Sequence, residues 1–325
     1  MNEIRFLHTN QHHWKEFEEL LETGYQSNPD QISDLYIRLT DDLSYARTYF
    51  TNSPVNGYLN NLAQKAHRLI YQNKPVKSNL FVHFWKTEYP TIVKGSYREI
   101  TVSFLILLLA SMTGWLSNLF DPEFARIIMG DHYINMTLAN IEKGDPLAVY
   151  KSMNQVDMFL GITLNNIYVA FQAFVCGLFT PLGTGMILLK NGIMLGTFHS
   201  FLMQKGFSFE TISTIWIHGT IEIFSIIVAG AAGIILGKGI VFPGTYKRSV
   251  SFRMGALKGI KLVAGLIPFF IVAGFLEGFI TRYTHAPFVL RLSIIILSAV
   301  ILAYYFFIYP NTSQFKNPYY GKQSG

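Results

Sequence analysis

The sequence predicts an all-α protein in which a polytopic membrane domain of about six transmembrane helices follows an N-terminal cytosolic helical domain. Half of the 325 residues are hydrophobic and only 14% are charged, whereas soluble proteins carry about 25% charged residues. Beyond residue 98 the apolar residues form segments of about 20 residues, the length that crosses the hydrocarbon core of a bilayer. In residues 1–98, apolar side chains recur at helical spacing among charged ones.

Composition excludes several other classes of protein. The chain has a single cysteine, which excludes an intrachain disulfide and a zinc or iron–sulfur site built from several cysteines. The first twenty residues hold several charged side chains, so we do not expect them to be a secretory signal peptide. The formal charge is +6, but the basic residues flank apolar segments, which favours anionic lipid over nucleic acid as their partner.

Residues 1–98 are predicted to form the cytosolic domain. Apolar stripes around Trp14, Leu39 and Leu62 indicate three amphipathic helices, and proline-containing breaks lie between the last two and after them. Residues 80–98 mix aromatic and basic side chains, a combination typical of a helix at the headgroup level of a membrane. We therefore expect a small helical bundle followed by an interfacial helix.

Six segments qualify as membrane spans within a membrane domain of residues 99–310. They cover residues 100–120, 158–179, 184–203, 211–236, 259–280 and 287–309. An even number of spans places both termini on one side. The positive-inside rule makes that side the cytosol, because most lysines and arginines outside the spans then fall in cytosolic segments. This topology predicts a multi-pass protein of the inner (plasma) membrane, with an outer loop at residues 121–157 and a short cytosolic tail at residues 311–325.

Polar residues inside the spans are costly in hydrocarbon and therefore mark a candidate site. The set comprises Asn165, Asn166, Asn191, His199, His218, Glu222 and Glu277. His218 and Glu222 are four residues apart, so they share one face of a helix. That face continues with the small residues Ser225, Ala229 and Gly233. Small residues let another helix approach closely, so we expect this face to contact protein.

The rise of a helix predicts that most of these polar residues meet in the outer half of the membrane. The two asparagines of the second span lie at a depth similar to that of His218. His199 and Glu277 lie nearer the outer ends of their spans. Asn191 lies deeper, toward the inner half. The expected intramembrane polar site therefore draws on four helices.

Three roles fit this constellation. His218, Glu222 and Glu277 are candidate ligands for a hard or borderline metal ion. A buried glutamate beside a histidine also suits a proton relay. The third role is a structural lock, in which His218 and the asparagines hold Glu222. His-x-x-x-Glu is not the zinc-protease pattern, and the sequence holds no phosphate loop, dinucleotide fingerprint or nucleophilic serine motif. No particular cofactor is implied.

Several short motifs occur together in this chain. They are His218-Gly219-x-x-Glu222, Asn165-Asn166, Asn191-Gly192-x-x-x-Gly196, Glu277 before Phe279-Ile280, the Trp14 to Phe17 segment and Leu39-Thr40-Asp41-Asp42-Leu43. Together they resemble the stage II sporulation protein M family of bacterial membrane proteins, and the N-terminal motifs resemble its longer members in non-sporulating bacteria. The resemblance implies a scaffold role, since the sporulation members help to localise peptidoglycan-degrading enzymes to a septum during engulfment. For a longer member it implies a general role in the cell envelope.

Three functional hypotheses follow. The first is a non-enzymatic scaffold in the inner membrane that recruits or positions peptidoglycan-related partners of the cell envelope. The second is a transporter or binder of a small or lipid-linked substrate, acting through the intramembrane polar site. The third is an intramembrane metal-dependent hydrolase. The expected partners are the lipid bilayer and envelope proteins, and not nucleic acid.

Overall fold

The structure, a computed structural model, describes residues 2–23, 29–71, 80–144, 148, 154–283 and 286–312. Within these ranges the chain is helical and contains no strand, so the predicted all-α class is confirmed. Contacts divide the chain into two compact units, residues 1–79 and 80–325. The predicted tail beyond residue 312 and most of the end of the outer loop lie outside the described residues.

Three helices form the N-terminal unit: α1 (Glu3–Thr23), α2 (Pro29–Tyr49) and α3 (Pro54–Tyr71). Their apolar stripes meet in one core. Phe17 and Leu39 are 1% and 2% exposed within it. Burial of these stripes stabilises helices whose remaining faces are polar, which is the arrangement that the helical spacing predicts.

One polar contact is built into this core. Trp14 is buried and donates its indole N–H to Asp42 Oδ2 at 2.8 Å. Partial burial raises the pKa of the Asp42 carboxyl, and the hydrogen bond from Trp14 opposes part of that shift. The contact therefore joins α1 to α2 through a carboxyl group that the fold partly desolvates.

The second unit begins with a short helical segment that packs into it. The segment consists of α4 (Leu80–His83), a π-helical turn (Phe84–Glu88) and α5 (Tyr89–Lys94). Tyr89 is completely buried, and its hydroxyl donates to the Leu262 carbonyl at 3.3 Å. The sequence predicts a helix at the headgroup level. In the structure the aromatic side chains of this segment pack against the apolar core of the unit, while Leu80 and Phe81 remain exposed.

Among the described residues, five helical runs are long and apolar enough to cross a membrane. They are Tyr97–Phe120, Gln155–Gln204, Thr211–Val241, Arg248–Ile280 and Phe288–Asn311. The first run is helix α6 (Tyr97–Phe120). The second contains 50 residues, which would extend about 75 Å as one straight helix. The hydrocarbon core is only about 30 Å thick, so this run exceeds a single span.

The 50-residue run is a helical hairpin. After α7 (Phe124–Met129) and α8 (Asp131–Glu142) come α9 (Gln155–Val175), a 3₁₀ turn at residues 176–179, and α10 (Thr180–Gln204). The side chain of residue 184 donates to the carbonyl of residue 173 at 2.9 Å. Eleven residues of straight helix would separate these positions by about 16 Å. The chain therefore reverses at the 3₁₀ turn, which divides this run into two helices.

Helix α11 (Phe209–Val241) is the centre of this unit. In its most apolar stretch 72% of the residues are buried, against 11% to 44% in the other runs. Gly233 shows how closely its neighbours approach, since a Cβ atom there would lie 2.3 Å from the Ala173 carbonyl oxygen and from Thr184 Oγ1. The small-residue face predicted from Ser225, Ala229 and Gly233 is buried in protein.

The last part of the unit is α12 (Arg248–Ala264), α13 (Ile267–Phe275), a π-helical segment (Leu276–Ile280) and α14 (Phe288–Ala303). The predicted spans leave residues 237–258 as a connection between them. In the structure most of that stretch is helical, because α11 continues beyond the predicted span and α12 begins before the next one. Only a six-residue connection separates α11 from α12.

Two ion pairs join neighbouring helical segments of this unit. Lys238 of α11 pairs with Glu99 of α6, and Lys261 of α12 pairs with Glu88 of the first π-helical turn. These two pairs connect α11 to α6 and α12 to the π-helical turn that precedes α5.

The two short helices α7 and α8 of the predicted outer loop pack on one end of the unit. Ala125 of α7 and Ile134 of α8 are 1% and 2% exposed. They share an apolar cluster with Phe201 of α10 and Ile215 of α11. The loop is therefore a packed layer over the ends of these two helices.

Candidate functional site

Three of the predicted site residues converge between α11 and the π-helical segment Leu276–Ile280. Donor atoms of His218, Glu222 and Glu277 all lie within 4.8 Å of one another. His218 Nε2 lies 3.6 Å from Glu277 Oε2, and the two side chains are 5% and 14% exposed. We refer to these three residues as the triad.

Local helix geometry brings the triad together. His218 and Glu222 are four residues apart on α11, so their side chains share a face. Glu277 lies in a π-helical turn, in which the Thr281 N–H donates to the Leu276 carbonyl at 2.8 Å. Such turns use the i→i+5 hydrogen bond and occur frequently at functional sites. They alter the direction in which a side chain such as Glu277 leaves its helix.

Thr281 orients the ring of His218. Its Oγ1 atom lies 3.1 Å from His218 Nδ1 and donates to the Leu276 carbonyl at 3.1 Å. Because a hydroxyl has one proton, and this proton goes to the carbonyl, Oγ1 accepts the proton of Nδ1. This hydrogen-bond network assigns the tautomer. It leaves the lone pair on Nε2, the nitrogen that faces Glu277.

Asn166 of α9 holds the second carboxylate. Its Nδ2 atom donates to Glu222 Oε1 at 2.5 Å. The contact joins α9 to α11 and fixes one carboxylate oxygen, while the donor geometry leaves the other oxygen available to the triad. Asn165, the neighbouring predicted residue, is exposed. Together with Asn166 and Thr281, the triad forms what we call the polar site.

The polar site concentrates electron-rich atoms away from solvent. Two ionised carboxylates at this separation repel each other, and low local polarity strengthens the repulsion. The Nε2 lone pair adds a further electron donor and no positive charge. A proton shared between the groups, or a cation bound among them, relieves this repulsion. The site is therefore chemically suited to hold a proton or a metal ion.

A tyrosine of the outer loop lies within electrostatic range of the same site. Burial raises the pKa of the Tyr133 phenol, a hydrogen bond with Thr137 opposes the shift, and the charge of Glu277 adds to it. Neither Tyr133 nor Thr281 is among the residues predicted from the sequence. Both lie outside the predicted spans, where a polar side chain carries no signal of its own.

Two predicted residues lie elsewhere. His199 of α10 packs on Trp216, with 5.6 Å between the ring centroids. Since Trp216 precedes His218 by two residues, about 200° around α11, His199 lies on the other side of that helix from the triad. Asn191 donates to the Ile187 carbonyl of its own helix at 2.8 Å. The predicted convergence therefore brings together Asn166 and the triad, and leaves His199 and Asn191 apart from them.

Two family models match this chain. The model described as Stage II sporulation protein M matches residues 101–282, which is more than half of the chain and includes every residue of the polar site. A second model, described as a domain of unknown function (DUF8413), matches residues 4–72, the three helices of the N-terminal unit. No curated protein and no solved structure matches the chain.

Proposed function

This chain belongs to the stage II sporulation protein M family, and we propose that it binds a divalent metal ion at the triad within the membrane. The bound ion then serves to bind or carry a small or lipid-linked substrate in the outer half of the bilayer. The observation that carries the proposal is the convergence of His218, Glu222 and Glu277 within 4.8 Å. One imidazole and two carboxylates form a donor set suited to Zn²⁺ or Mn²⁺.

The separation of the donor atoms supports a metal ion. Zinc binds imidazole nitrogen and carboxylate oxygen at about 2.0–2.2 Å, so two ligands in tetrahedral geometry are about 3.4 Å apart. His218 Nε2 and Glu277 Oε2 are 3.6 Å apart. A direct hydrogen bond between them would be shorter, at about 2.7–3.2 Å. The distance of 3.6 Å therefore matches two ligands of one ion better than a directly hydrogen-bonded pair.

The surrounding contacts support the same assignment. Metal-bound histidines almost always donate their second ring N–H to a neighbouring acceptor, and metal-bound carboxylates accept hydrogen bonds. Thr281 accepts from His218 Nδ1, and Asn166 donates to Glu222. A structural lock would need only the direct contacts between helices. It would not require Nε2 of the histidine to present its lone pair to a carboxylate.

Metal binding to the full-length protein in nanodiscs tests the proposal. Chelator-treated protein would be titrated with Zn²⁺ and with Mn²⁺ by calorimetry. We expect one ion per chain for the wild type and loss of binding in Glu277→Gln. Asp157→Asn is the matched control, because Asp157 is an exposed carboxylate of α9 in the same unit. Absence of saturable binding by the wild type, or unchanged binding by Glu277→Gln, would overturn the proposal.

A second experiment distinguishes transport of the ion from binding alone. Proteoliposomes that enclose a metal-sensitive dye report entry of the ion, which a carrier produces and a binder does not. Three protein ligands also leave a fourth position for water or substrate, as in catalytic zinc sites. Metal-dependent hydrolysis is therefore the related enzymatic candidate, and its test is release of a cleaved headgroup from lipid-linked substrates by the metal-loaded protein.

A scaffold role in the cell envelope is the second candidate function. It is favoured by the N-terminal unit, which has its own apolar core and its own family match over residues 4–72. A chain that serves only to bind an ion has no need of this added domain. Cross-linking in cells, followed by identification of co-purified envelope proteins, compares the full chain with a variant lacking residues 2–79. The scaffold role requires that partners be lost from the shortened chain.

A further inference from the structure

We propose that a groove formed by α6, α10 and α11 binds a single hydrocarbon chain that ends in a hydroxyl group, and that His199 accepts the hydrogen bond from this hydroxyl. The groove lies on the side of α11 away from the triad, and the proposal does not depend on metal binding. The ligand class is a long-chain, hydroxyl-bearing lipid.

The groove has the size of a ligand site. Its cavity volume is about 450 Å³, within the range of about 300–1,000 Å³ that is typical of ligand pockets. Its lining includes Leu107, Leu108, Met112 and Trp115 of α6, His199 of α10 and Trp216 of α11. Almost all of this surface is apolar, which fits hydrocarbon and excludes a highly charged ligand.

The groove exists because α6 and α10 touch at their backbones. Gly196 lies in its wall, and a Cβ atom there would be 1.8 Å from the Ser111 carbonyl oxygen. The wall is therefore bare backbone at this point. Large side chains of α11, among them Trp216 and Ile223, line the opposite wall. The result is a slot open to the membrane side of the unit.

The slot has the length of one lipid leaflet. Its lining on α6 extends from Phe104 to Leu116, a rise of about 18 Å. One leaflet contributes half of the hydrocarbon core, about 15 Å. Trp115, His199 and Trp216 lie within about 10 Å of the ends of their helices, and tryptophan is enriched at the membrane interface. A lipid chain in the slot would therefore have its polar end beside these three residues.

His199 supplies the specificity for a hydroxyl. Its Nδ1 atom lies 2.9 Å from the Leu195 carbonyl, so Nδ1 carries the proton and Nε2 is an acceptor. Nε2 is buried and has no hydrogen-bond partner within the part of the chain that the structure describes, so a ligand hydroxyl would reach it through a small shift of the ring or of its neighbours. An acceptor without a partner is unfavourable in hydrocarbon. A hydroxyl donates to it, whereas an ether or an alkyl end does not.

Photolabelling of the full-length protein in nanodiscs tests this site. The probe is a sixteen-carbon alcohol that bears a diazirine on its chain, and its methyl ether serves as the comparison because it lacks the donor. We expect mass spectrometry to map the label to α6, α10 and α11. We also expect the alcohol to label these helices about two- to tenfold more than the ether, the affinity ratio that one net hydrogen bond produces.

Variants distinguish the groove from general exposure to lipid. Leu108→Trp fills the slot and should abolish the label, whereas Leu105→Trp, at an exposed position of α6 outside the lining, should retain it. His199→Phe keeps an aromatic ring and should make alcohol and ether label equally. Equal labelling by the two probes in the wild type, or label retained in Leu108→Trp, would overturn the proposal. The first comparison needs no variant to fold.

Discussion

Trp216 and His218 are two residues apart on α11 and serve opposite sides of that helix. Trp216 lines the groove beside α6 and α10, whereas His218 belongs to the triad with Glu277. Two residues correspond to about 200° of rotation in an α-helix. A single buried helix thus separates an apolar cavity from a polar site, and substitutions on one side should leave the other intact.

Replacing Glu222 by glutamine should separate folding from metal binding. The amide keeps the size of the side chain and still offers an oxygen to Asn166, so the melting temperature should stay within a few degrees of the wild type. The substitution removes the charge of a metal ligand. Metal affinity should therefore fall by at least about 10- to 100-fold, the loss that is typical when a residue that only hydrogen-bonds to a ligand is replaced. Thermal unfolding and calorimetry on the same samples measure both effects. A variant that binds metal normally would support the structural lock.

Replacing Thr281 by valine should weaken metal binding without removing a ligand. Valine has a similar shape but offers no oxygen to His218 Nδ1, so the ring loses the contact that fixes its tautomer. Loss of such a contact lowers metal affinity by about 10- to 100-fold. Thr281→Ser, which keeps the hydroxyl, is the control and should bind as the wild type does. Equal affinities for the valine and serine variants would argue against the orienting role.

Two glycines of α11 should respond in opposite directions to alanine. A Cβ atom at Gly233 would lie 2.3 Å from neighbouring atoms, whereas at Gly219 it meets nothing within 4 Å. Gly233→Ala should therefore cost about 1–3 kcal/mol through overpacking. Gly219→Ala should be neutral or stabilise by about 0.4–1 kcal/mol, because it lowers the freedom of the unfolded chain. Chemical denaturation in mild detergent compares the two, and similar losses at both positions would contradict close packing at Gly233.

Protonation of Asp42 should stabilise the folded N-terminal unit, so Asp42 should contribute to its free energy of unfolding at acidic pH and not at neutral pH. Burial raises its pKa above the ordinary 3.8, so the folded state binds this proton more tightly than the unfolded state does. The resulting stabilisation is complete below 3.8 and is lost as pH rises through the raised pKa. Asp42→Asn keeps an acceptor for Trp14 and should remove this pH dependence. Hydrogen exchange of the α2 amides as a function of pH measures it, and an unchanged profile would exclude Asp42 as its source.

The distribution of basic residues predicts the orientation of the membrane unit. A reporter fused after Lys151 should be non-cytosolic, and one fused after Tyr246 should be cytosolic. The physical reason is that cytosolic segments retain lysine and arginine. Paired alkaline phosphatase and fluorescent protein fusions read the two compartments. The opposite pair of results would reverse the topology and move the polar site to the inner half of the membrane.

Local sequence patterns predict much of this architecture. Three helical stripes predict α1 to α3, and apolar length predicts the spans, because burial of hydrocarbon surface and satisfaction of backbone hydrogen bonds act over a few turns. The four-residue spacing of His218 and Glu222 likewise needs only the geometry of one helix. Local sequence patterns therefore specify the all-α membrane class and place His218 and Glu222 of the polar site on one helix face.

Other features depend on contacts between residues far apart in the chain. The hairpin of α9 and α10 places Asn166 rather than Asn165 against Glu222, and helical depth cannot distinguish two adjacent asparagines that point about 100° apart. The π-helical turn aims Glu277 at His218, while His199 at a similar depth faces the groove. Depth along a helix is a local quantity, but the direction of a side chain around it is set by which neighbours pack there.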